Sequence, residues 1–148
     1  MPVHATCIAV DGLGVLLRGP SGSGKSDLAL RLIDGGAMLI ADDQVVLEAI
    51  GGVLFARPPD ILAGKIEARG IGILENLPWQ RSPVMLAVDL VAPEEIERLP
   101  DARTVTLDGV KLPCIRISPF ECSAPAKIRL SLAALEANRS TRDSIIQP

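Results

Sequence analysis

The residues best suited to chemistry form one unbroken stretch, Gly19, Pro20, Ser21, Gly22, Ser23, Gly24, Lys25 and Ser26. This stretch fits the pattern G-x-x-x-x-G-K-[ST], in which glycines let successive backbone N–H groups point at a polyphosphate. In that pattern Lys25 reaches the β- and γ-phosphates, and the Ser26 hydroxyl binds Mg²⁺. The sequence therefore predicts a loop that binds a nucleoside triphosphate.

The segments on either side of this loop agree with the prediction. Residues 15–17 are a short apolar run typical of a buried strand, and residues 26–33 suit a helix that ends at Gly35 and Gly36. A strand before the loop and a helix after it are the context that the motif requires. The N-terminus of such a helix also attracts phosphate, because its unpaired N–H groups and its dipole favour negative charge.

A pair of aspartates is the second strong feature. Asp42 and Asp43 end the apolar segment 37–41 and lie 16 and 17 residues after Ser26. A carboxylate at the end of a buried strand beside a phosphate loop commonly helps to hold Mg²⁺, and a neighbouring acid could accept a proton from an attacking hydroxyl. The sequence does not divide these roles between the two. Asp89 also ends an apolar run, but it has no acidic neighbour and is the second choice.

Three further groups are open to more than one interpretation. Glu67 and Arg69 would share one face of an extended strand, as a metal ligand and a phosphate contact or as a surface ion pair. His4 is the only histidine, and a lone histidine on a short strand is more often structural than catalytic. Arg98 follows several glutamates and is by default a solvated residue, with a transition-state arginine as the alternative.

Composition limits the class of protein. A length of 148 residues predicts one domain, residues 1–148, with a disordered tail from about residue 140 to 148. A net charge of −3 argues against nucleic acid or an anionic membrane as partner, and the absence of a long apolar run predicts a cytoplasmic protein. With two Phe, one Trp and no Tyr, the core must be aliphatic and stacking of bases on aromatic side chains is not expected.

Turn residues indicate a mixed sheet rich in hairpins. Asp11-Gly12, Gly51-Gly52 and Asp108-Gly109 each separate two strand-like runs. The clearest helix is residues 124–138, residues 93–98 suggest a short one, and residues 76–83 suggest a flexible loop. The fold class is therefore α/β with few helices, which departs from the regular alternation of strands and helices in most nucleotide-binding domains.

Motifs that are absent narrow the function. The chain contains neither N-K-x-D, which argues against a GTPase, nor L-S-G-G-Q, which argues against a transporter ATPase. No arginine-rich lid is evident. A kinase of a small metabolite and a non-catalytic, ATP-binding regulatory module nevertheless remain as alternatives.

Four stretches resemble the HPr kinase/phosphorylase family, bacterial enzymes that phosphorylate a serine of the phosphocarrier protein HPr. His4 lies 21 residues before Lys25, the loop runs on to an A-D-D sequence, residues 67–72 fit E-x-R-G-x-G, and residues 97–100 resemble the segment with the family's catalytic arginine. The resemblance implies a mixed sheet of the HPr kinase/phosphoenolpyruvate carboxykinase type that contains the phosphate loop, and ATP and Mg²⁺ as cofactors.

The same resemblance implies roles for individual residues. Asp43 would be the general base for serine phosphorylation and the acid in the reverse direction, while Ser26 and Glu67 would hold Mg²⁺. The remaining roles fall to Lys25 at the transferred phosphate, His4 and Arg98 in support of the phosphoryl group, and Asp42, Arg69 and Lys127 as further supporting positions.

Two departures from the family pattern matter. Full-length members carry an additional N-terminal domain, and this chain begins almost at the catalytic one, like the shorter form in alphaproteobacteria. The late P-x-R-P-G-R segment, tied to dephosphorylation, is weak here, since residues 123–127 keep only a proline and Lys127. The resemblance therefore favours kinase over phosphorylase activity, and it implies a homo-oligomer, in the family usually a hexamer.

Overall fold

The computed structural model describes the backbone of residues 2–146 and the side chains of residues 2–138. The strands are β1 (Pro2–His4), β2 (Thr6–Val10), β3 (Leu13–Arg18), β4 (Met38–Ala41), β5 (Gln44–Ile50), β6 (Val53–Arg57), β7 (Ile66–Ala68), β8 (Gly72–Leu74), β9 (Ser82–Leu90), β10 (Arg103–Leu107) and β11 (Val110–Ile117). The α-helices are α1 (Lys25–Asp34) and α2 (Ala124–Ile146), with 3₁₀ turns at Asp60–Leu62 and Pro93–Glu95.

Nine of these strands form one mixed sheet, in the order β1-β5-β6-β9-β3-β2-β4, with β11 between β9 and β10. Strand β3 is parallel to β9, and β9 is parallel to β11. Because β2 is antiparallel to both β3 and β4, β4 runs in the direction of β3. The C-terminal ends of β3, β4, β9 and β11 therefore lie at one edge of the sheet, where ligands of such sheets usually bind.

Alternating side chains of the central strands divide the core into two clusters. Ile8 and Leu17 point to the face covered by α1 and α2, together with Leu28 of α1 and Ile128 of α2. Leu16 points to the other face, where the strands β5 and β6 pack back over the sheet. A strand buried on both faces reads as an unbroken apolar run, which is why residues 15–17 and 84–90 show no polar alternation apart from Asp89.

The predicted hairpins are confirmed. The turns at Asp11-Gly12, Gly51-Gly52 and Asp108-Gly109 join β2 to β3, β5 to β6 and β10 to β11 in antiparallel pairs. At the first turn Asp11 and Gly12 both have positive φ, 51° and 79°, as a tight two-residue hairpin turn requires. The mixed, hairpin-rich α/β architecture expected from the sequence is thus the observed one.

Several boundaries differ from the predicted ones. The strand-like run before the Asp11-Gly12 turn is interrupted at Ala5, whose N–H donates to the carbonyl of Asp43, so that β1 pairs with β5 and β2 with β3 and β4. Residues 66–74 form a separate hairpin, β7–β8. The segment 76–83 is attached to the fold, because the N–H of Gln80 donates to the carbonyl of Leu39.

The C-terminal helix is longer than predicted. Helix α2 continues beyond residue 138 to Ile146, because neither glycine nor proline interrupts the chain there. Of the tail predicted at residues 140–148, the backbone through Ile146 is helical, and residues 147 and 148 lie outside the described residues. Within the described part, neither helix has the length and hydropathy needed to cross a membrane.

Candidate nucleotide site

The loop of residues 19–26 joins the end of β3 to the start of α1, as the motif predicts. Gly22 and Gly24 have φ of 80° and 98°, a left-handed conformation that favours glycine, and the N–H of Ser23 donates to the carbonyl of Pro20 at 3.0 Å. At Gly24 space is short as well, because an added Cβ would lie 2.9 Å from Cζ of Phe120. The left-handed φ is the reason that glycine is favoured here, whereas the exposed Phe120 ring can rotate to make room for a Cβ.

Lys25 is buried at the first position of α1, with 7% of its surface exposed. Its ammonium group donates to the carbonyls of Gly19 and Pro20, at 2.7 and 2.9 Å. These bonds draw the side chain back along the loop and compensate part of the cost of burying the charge. An ammonium group has three N–H donors, so one remains for a phosphate oxygen.

Asp42 is the buried junction of the site. Its Oδ1 accepts hydrogen bonds from the hydroxyls of Thr6 at 2.8 Å and Ser26 at 2.7 Å, and its Oδ2 accepts one from the backbone N–H of Glu67 at 3.0 Å. Asp42 is only 6% exposed, so three donors satisfy a carboxylate that water barely reaches. The bonds fix the Ser26 hydroxyl and bring the strand of Glu67 beside the loop.

Asp43 points the other way. It has a φ of 69°, and the N–H of Gln44 reaches back to the carbonyl of Asp42 at 2.8 Å, so the chain turns sharply between the two aspartates. The Asp43 side chain is 64% exposed, and its Oδ1 lies 2.9 Å from Nε2 of His4. Among the described residues this is its one side-chain partner, which leaves the second carboxylate oxygen open to solvent.

Glu67 and Arg69 lie beside this centre on β7 and the turn that follows it. Ile66 and Ala68 are buried, so the alternation of the strand turns the Glu67 side chain outward. Glu67 and Arg69 are both exposed, and in the described part of the chain no ion pair joins them. The alternative named from the sequence, a surface ion pair between these two residues, is therefore not observed.

The structure gives two of the other candidates different surroundings. Arg98 is exposed on the segment after β9, which leaves the sheet at the same edge as the loop. Lys127 forms an ion pair with Glu121 at 2.7 Å. In the described part of the chain neither side chain bonds to the aspartate pair, so their supporting roles remain predictions.

Asp89, the second-choice acid, is engaged elsewhere. Its two oxygens accept hydrogen bonds from Arg18 at 2.7 and 3.0 Å, and the Cys114 thiol lies 3.5 Å away. Burial alone would raise the pKa of the Asp89 carboxyl, but the hydrogen bonds and the charge of Arg18 outweigh it, so that its pKa lies below the usual value. A carboxylate paired with an arginine in this way is not free to serve a metal.

The segment that follows β11 also borders the site, although no sequence motif marks it. Its residues Pro119 and Glu121 accept hydrogen bonds at their carbonyls from the guanidinium group of Arg31, which also pairs with Asp27 one turn earlier on α1. Phe120, between them, lies against Gly24. No local pattern could reveal this contact, because it depends on β11 ending at the same edge as β3.

The residues present fit a magnesium–triphosphate. The described residues contain no group of three or more His, Cys, Asp or Glu that could by itself hold a metal ion. Mg²⁺ does not need one, because it usually binds through one or two carboxylates, water and substrate phosphates. The Ser23 hydroxyl in the loop is buried without a hydrogen-bond partner, and such unpaired polar atoms call for an acceptor or donor from outside the chain.

Comparison with known proteins agrees with this geometry. A family model described as HPr Serine kinase C-terminal domain matches residues 1–123. An HPr kinase/phosphorylase of Streptococcus thermophilus is 34% identical over 145 residues, covering 90% of this chain and 47% of that protein. Another, from Clostridium beijerinckii, is 44% identical over 73 residues, covering 49% of this chain and 24% of that protein. The chain thus spans about half the length of the first of these relatives, or less for the second.

A solved structure extends the match to the whole fold. The Hpr(Ser) kinase/phosphatase from Coxiella burnetii superposes with a TM-score of 0.84 at 30% sequence identity, covering 97% of this chain and 95% of that chain. The family model covers far more than half of the sequence, and the relatives and the fold point to the same group. The chain therefore belongs to the family of the HPr Serine kinase C-terminal domain.

Proposed function

We propose that residues 1–148 form a single catalytic domain of an ATP-dependent protein serine kinase whose substrate is the phosphocarrier protein HPr. The observation that carries this proposal is the division of the aspartate pair: Asp42 is buried and bonded to Ser26 of the phosphate loop, whereas Asp43 is exposed beside His4. A kinase needs both arrangements, one to organise the triphosphate and one to take a proton from the acceptor.

The loop and Lys25 would bind the triphosphate. The backbone N–H groups of the loop and the start of α1 face the phosphates, and the Lys25 ammonium neutralises charge on the group being transferred. Ser26 and Glu67 would hold Mg²⁺, which when bound neutralises charge on the β- and γ-phosphate oxygens. Asp42 keeps the Ser26 hydroxyl in one orientation through the 2.7 Å bond.

Asp43 would act on the substrate serine. Its open carboxylate oxygen accepts the hydroxyl proton while the serine oxygen forms a bond to the γ-phosphorus and the bond from that phosphorus to ADP breaks. His4, with a proton on Nε2, donates to the other oxygen and holds the carboxylate in position. Arg98 would approach the transferred group from the segment after β9, as the family resemblance suggests.

Some finer properties are also part of the proposal. The weak match of residues 123–127 to the dephosphorylation segment favours the kinase direction, with the reverse reaction as a second activity of the same site. A cytoplasmic homo-oligomer, a hexamer by resemblance, is the expected form. Light scattering of the purified chain measures the oligomeric state directly.

A labelling experiment tests the proposed activity. Purified chain, HPr, Mg²⁺ and ATP labelled at the γ-phosphate should yield labelled HPr, and HPr with its acceptor serine replaced by Ala should remain unlabelled. Label in a small molecule instead would indicate a metabolite kinase. Tight ATP binding without a product in either direction would indicate a regulatory module.

The variant Asp43→Asn tests the proposed role of Asp43 as the base. Asn tolerates the left-handed conformation at this position at least as well as Asp, so the fold should be retained. We expect labelling of HPr to fall by about 10²-fold or more, since the amide cannot accept the proton, while ATP still binds. Unchanged labelling would remove Asp43 from the mechanism.

A further inference from the structure

Phe120 is an exposed aromatic side chain beside the phosphate loop that the proposed function does not use. Phe120 is 71% exposed, although the preceding residue, Pro119, is buried. Ring atoms Cζ and Cε1 lie 2.9 and 3.1 Å from the point where a Cβ on Gly24 would be. The ring therefore borders the first turn of α1, where the triphosphate would enter.

The backbone under this ring is firmly held. Arg31 donates to the carbonyls on both sides of Phe120, and Arg31 is itself paired with Asp27 at 3.1 Å. Glu121 adds an ion pair with Lys127 at 2.7 Å. The backbone that carries the ring is therefore held in place before any ligand arrives, so binding need not order this segment.

The other two aromatic rings of the described chain have different surroundings. Phe55 lies under the guanidinium group of Arg81, at 4.5 Å from the ring centroid. Trp79 lies in the loop before β9, is 46% exposed, and has its ring atom Cδ1 at 3.5 Å from the point where a Cβ on Gly64 would be. Phe120 is thus the aromatic side chain that the structure places against Gly24 of the phosphate loop.

We propose that, contrary to the expectation from composition, Phe120 is the platform on which the base of the nucleotide stacks, an inference that rests on the proposed ATP-dependent function. With the phosphates at the N-terminus of α1, the nucleoside leaves the loop along one of its flanks, and the Phe120 ring forms the apolar wall of the flank beside Gly24. An aromatic face accepts any base because every base has a π-face. Recognition by Phe120 would thus depend on stacking area and favour purine over pyrimidine triphosphates.

The test compares a ligand with a base to one without. Dissociation constants for ATP and for inorganic tripolyphosphate, both with Mg²⁺, are measured by calorimetry for the native chain and for Phe120→Ala, Phe120→Trp and Ile61→Ala. Ile61 is 79% exposed and lies on a 3₁₀ turn, and it serves as the matched loss of an exposed apolar side chain. Thermal unfolding checks that each variant is folded.

We expect Phe120→Ala to weaken ATP binding by about 10-fold, within the range known for base stacking, and to leave tripolyphosphate binding within about twofold. Phe120→Trp should retain ATP affinity, and Ile61→Ala should change neither ligand. The inference is overturned if Phe120→Ala binds ATP normally, or if it weakens both ligands equally, since the ring would then shape the loop rather than hold the base.

Two further results separate this inference from the function beneath it. If Phe120→Ala binds ATP normally but shows a higher KM for HPr, the ring contacts the protein substrate and the stacking role is wrong, while the kinase proposal stands. If the native chain binds neither ATP nor tripolyphosphate, both proposals fail together.

Discussion

Replacing Asp42 with Asn is expected to destabilise the fold strongly, whereas Asp43→Asn, one residue further on, is not. Asp42 is 6% exposed and accepts hydrogen bonds from Thr6, Ser26 and the backbone of Glu67. An asparagine amide keeps one oxygen for the two hydroxyls, but its NH₂ group would face the Glu67 N–H. The NH₂ group and the Glu67 N–H are both donors, so the buried hydrogen bond between Glu67 and residue 42 would be lost.

The size of the effect follows from these three bonds. A hydrogen bond to a charged acceptor contributes about 1.5–3 kcal/mol and a neutral one about 0.5–1.5 kcal/mol, so each hydroxyl bond weakens by about 1 kcal/mol and the Glu67 bond is lost. Removing a buried charge recovers part of that sum. We therefore expect the free energy of unfolding to fall by about 2–3 kcal/mol, which lowers Tm by about 5–10 °C in a domain of this length.

Urea unfolding followed by circular dichroism measures this difference. Asp43 is 64% exposed and has one side-chain partner in the described part of the chain, so Asp43→Asn should change the free energy of unfolding by less than about 0.5 kcal/mol. The m-value should be equal in all three proteins, which shows that the same surface is exposed on unfolding. Equal losses for both variants, or a loss below about 0.5 kcal/mol for Asp42→Asn, would refute the assignment of Asp42 as the buried junction.

Three other substitutions give independent checks. Lys25→Met removes the ammonium group at the loop, so calorimetry should show weaker ATP binding and HPr labelling should fall by about 10²-fold or more; normal values for both would contradict its role. His4→Ala should lower labelling by about 10-fold with little change in Tm, because in the proposed mechanism His4 positions the base Asp43 and does not support the core; a large fall in Tm would indicate a structural role instead. Asp89→Asn should destabilise the chain at pH 7, and the difference from the native chain should shrink below about pH 4. The sign follows because folding lowers the pKa of Asp89, so its contribution is present above the usual pKa and is lost as the pH falls through the folded value; unfolding measured from pH 7 to 3 would contradict this if the difference stayed constant.

The elements that could be predicted are those fixed by neighbours in sequence. The loop of residues 19–26, the strand before it and the helix after it follow from one local motif, and each hairpin follows from its turn residues. The family resemblance then assigned roles to residues that lie far apart in the chain. For these parts the sequence carries the information in short stretches, where turn chemistry and backbone conformation are decided.

What could not be predicted depends on contacts between distant segments. The two adjacent aspartates are the same residue type, so the sequence does not distinguish them. Only the turn of the chain at Asp43, with its φ of 69°, directs one carboxylate inward and the other outward. The break at Ala5, between β1 and β2, arises because the N–H of that residue donates to the carbonyl of Asp43. The position of Phe120 likewise depends on the parallel pairing of β11 with β9.

The left-handed backbone of Asp43 has a consequence for how this fold can diverge. Only glycine, asparagine and aspartate occupy such a conformation without much strain, so the set of substitutions that keep the turn is small. Asparagine is among them, and one nucleotide change converts an aspartate codon into an asparagine codon. A descendant with asparagine at this position would keep the fold and the binding of the nucleotide but lose catalytic turnover. Such a protein could serve as a nucleotide sensor.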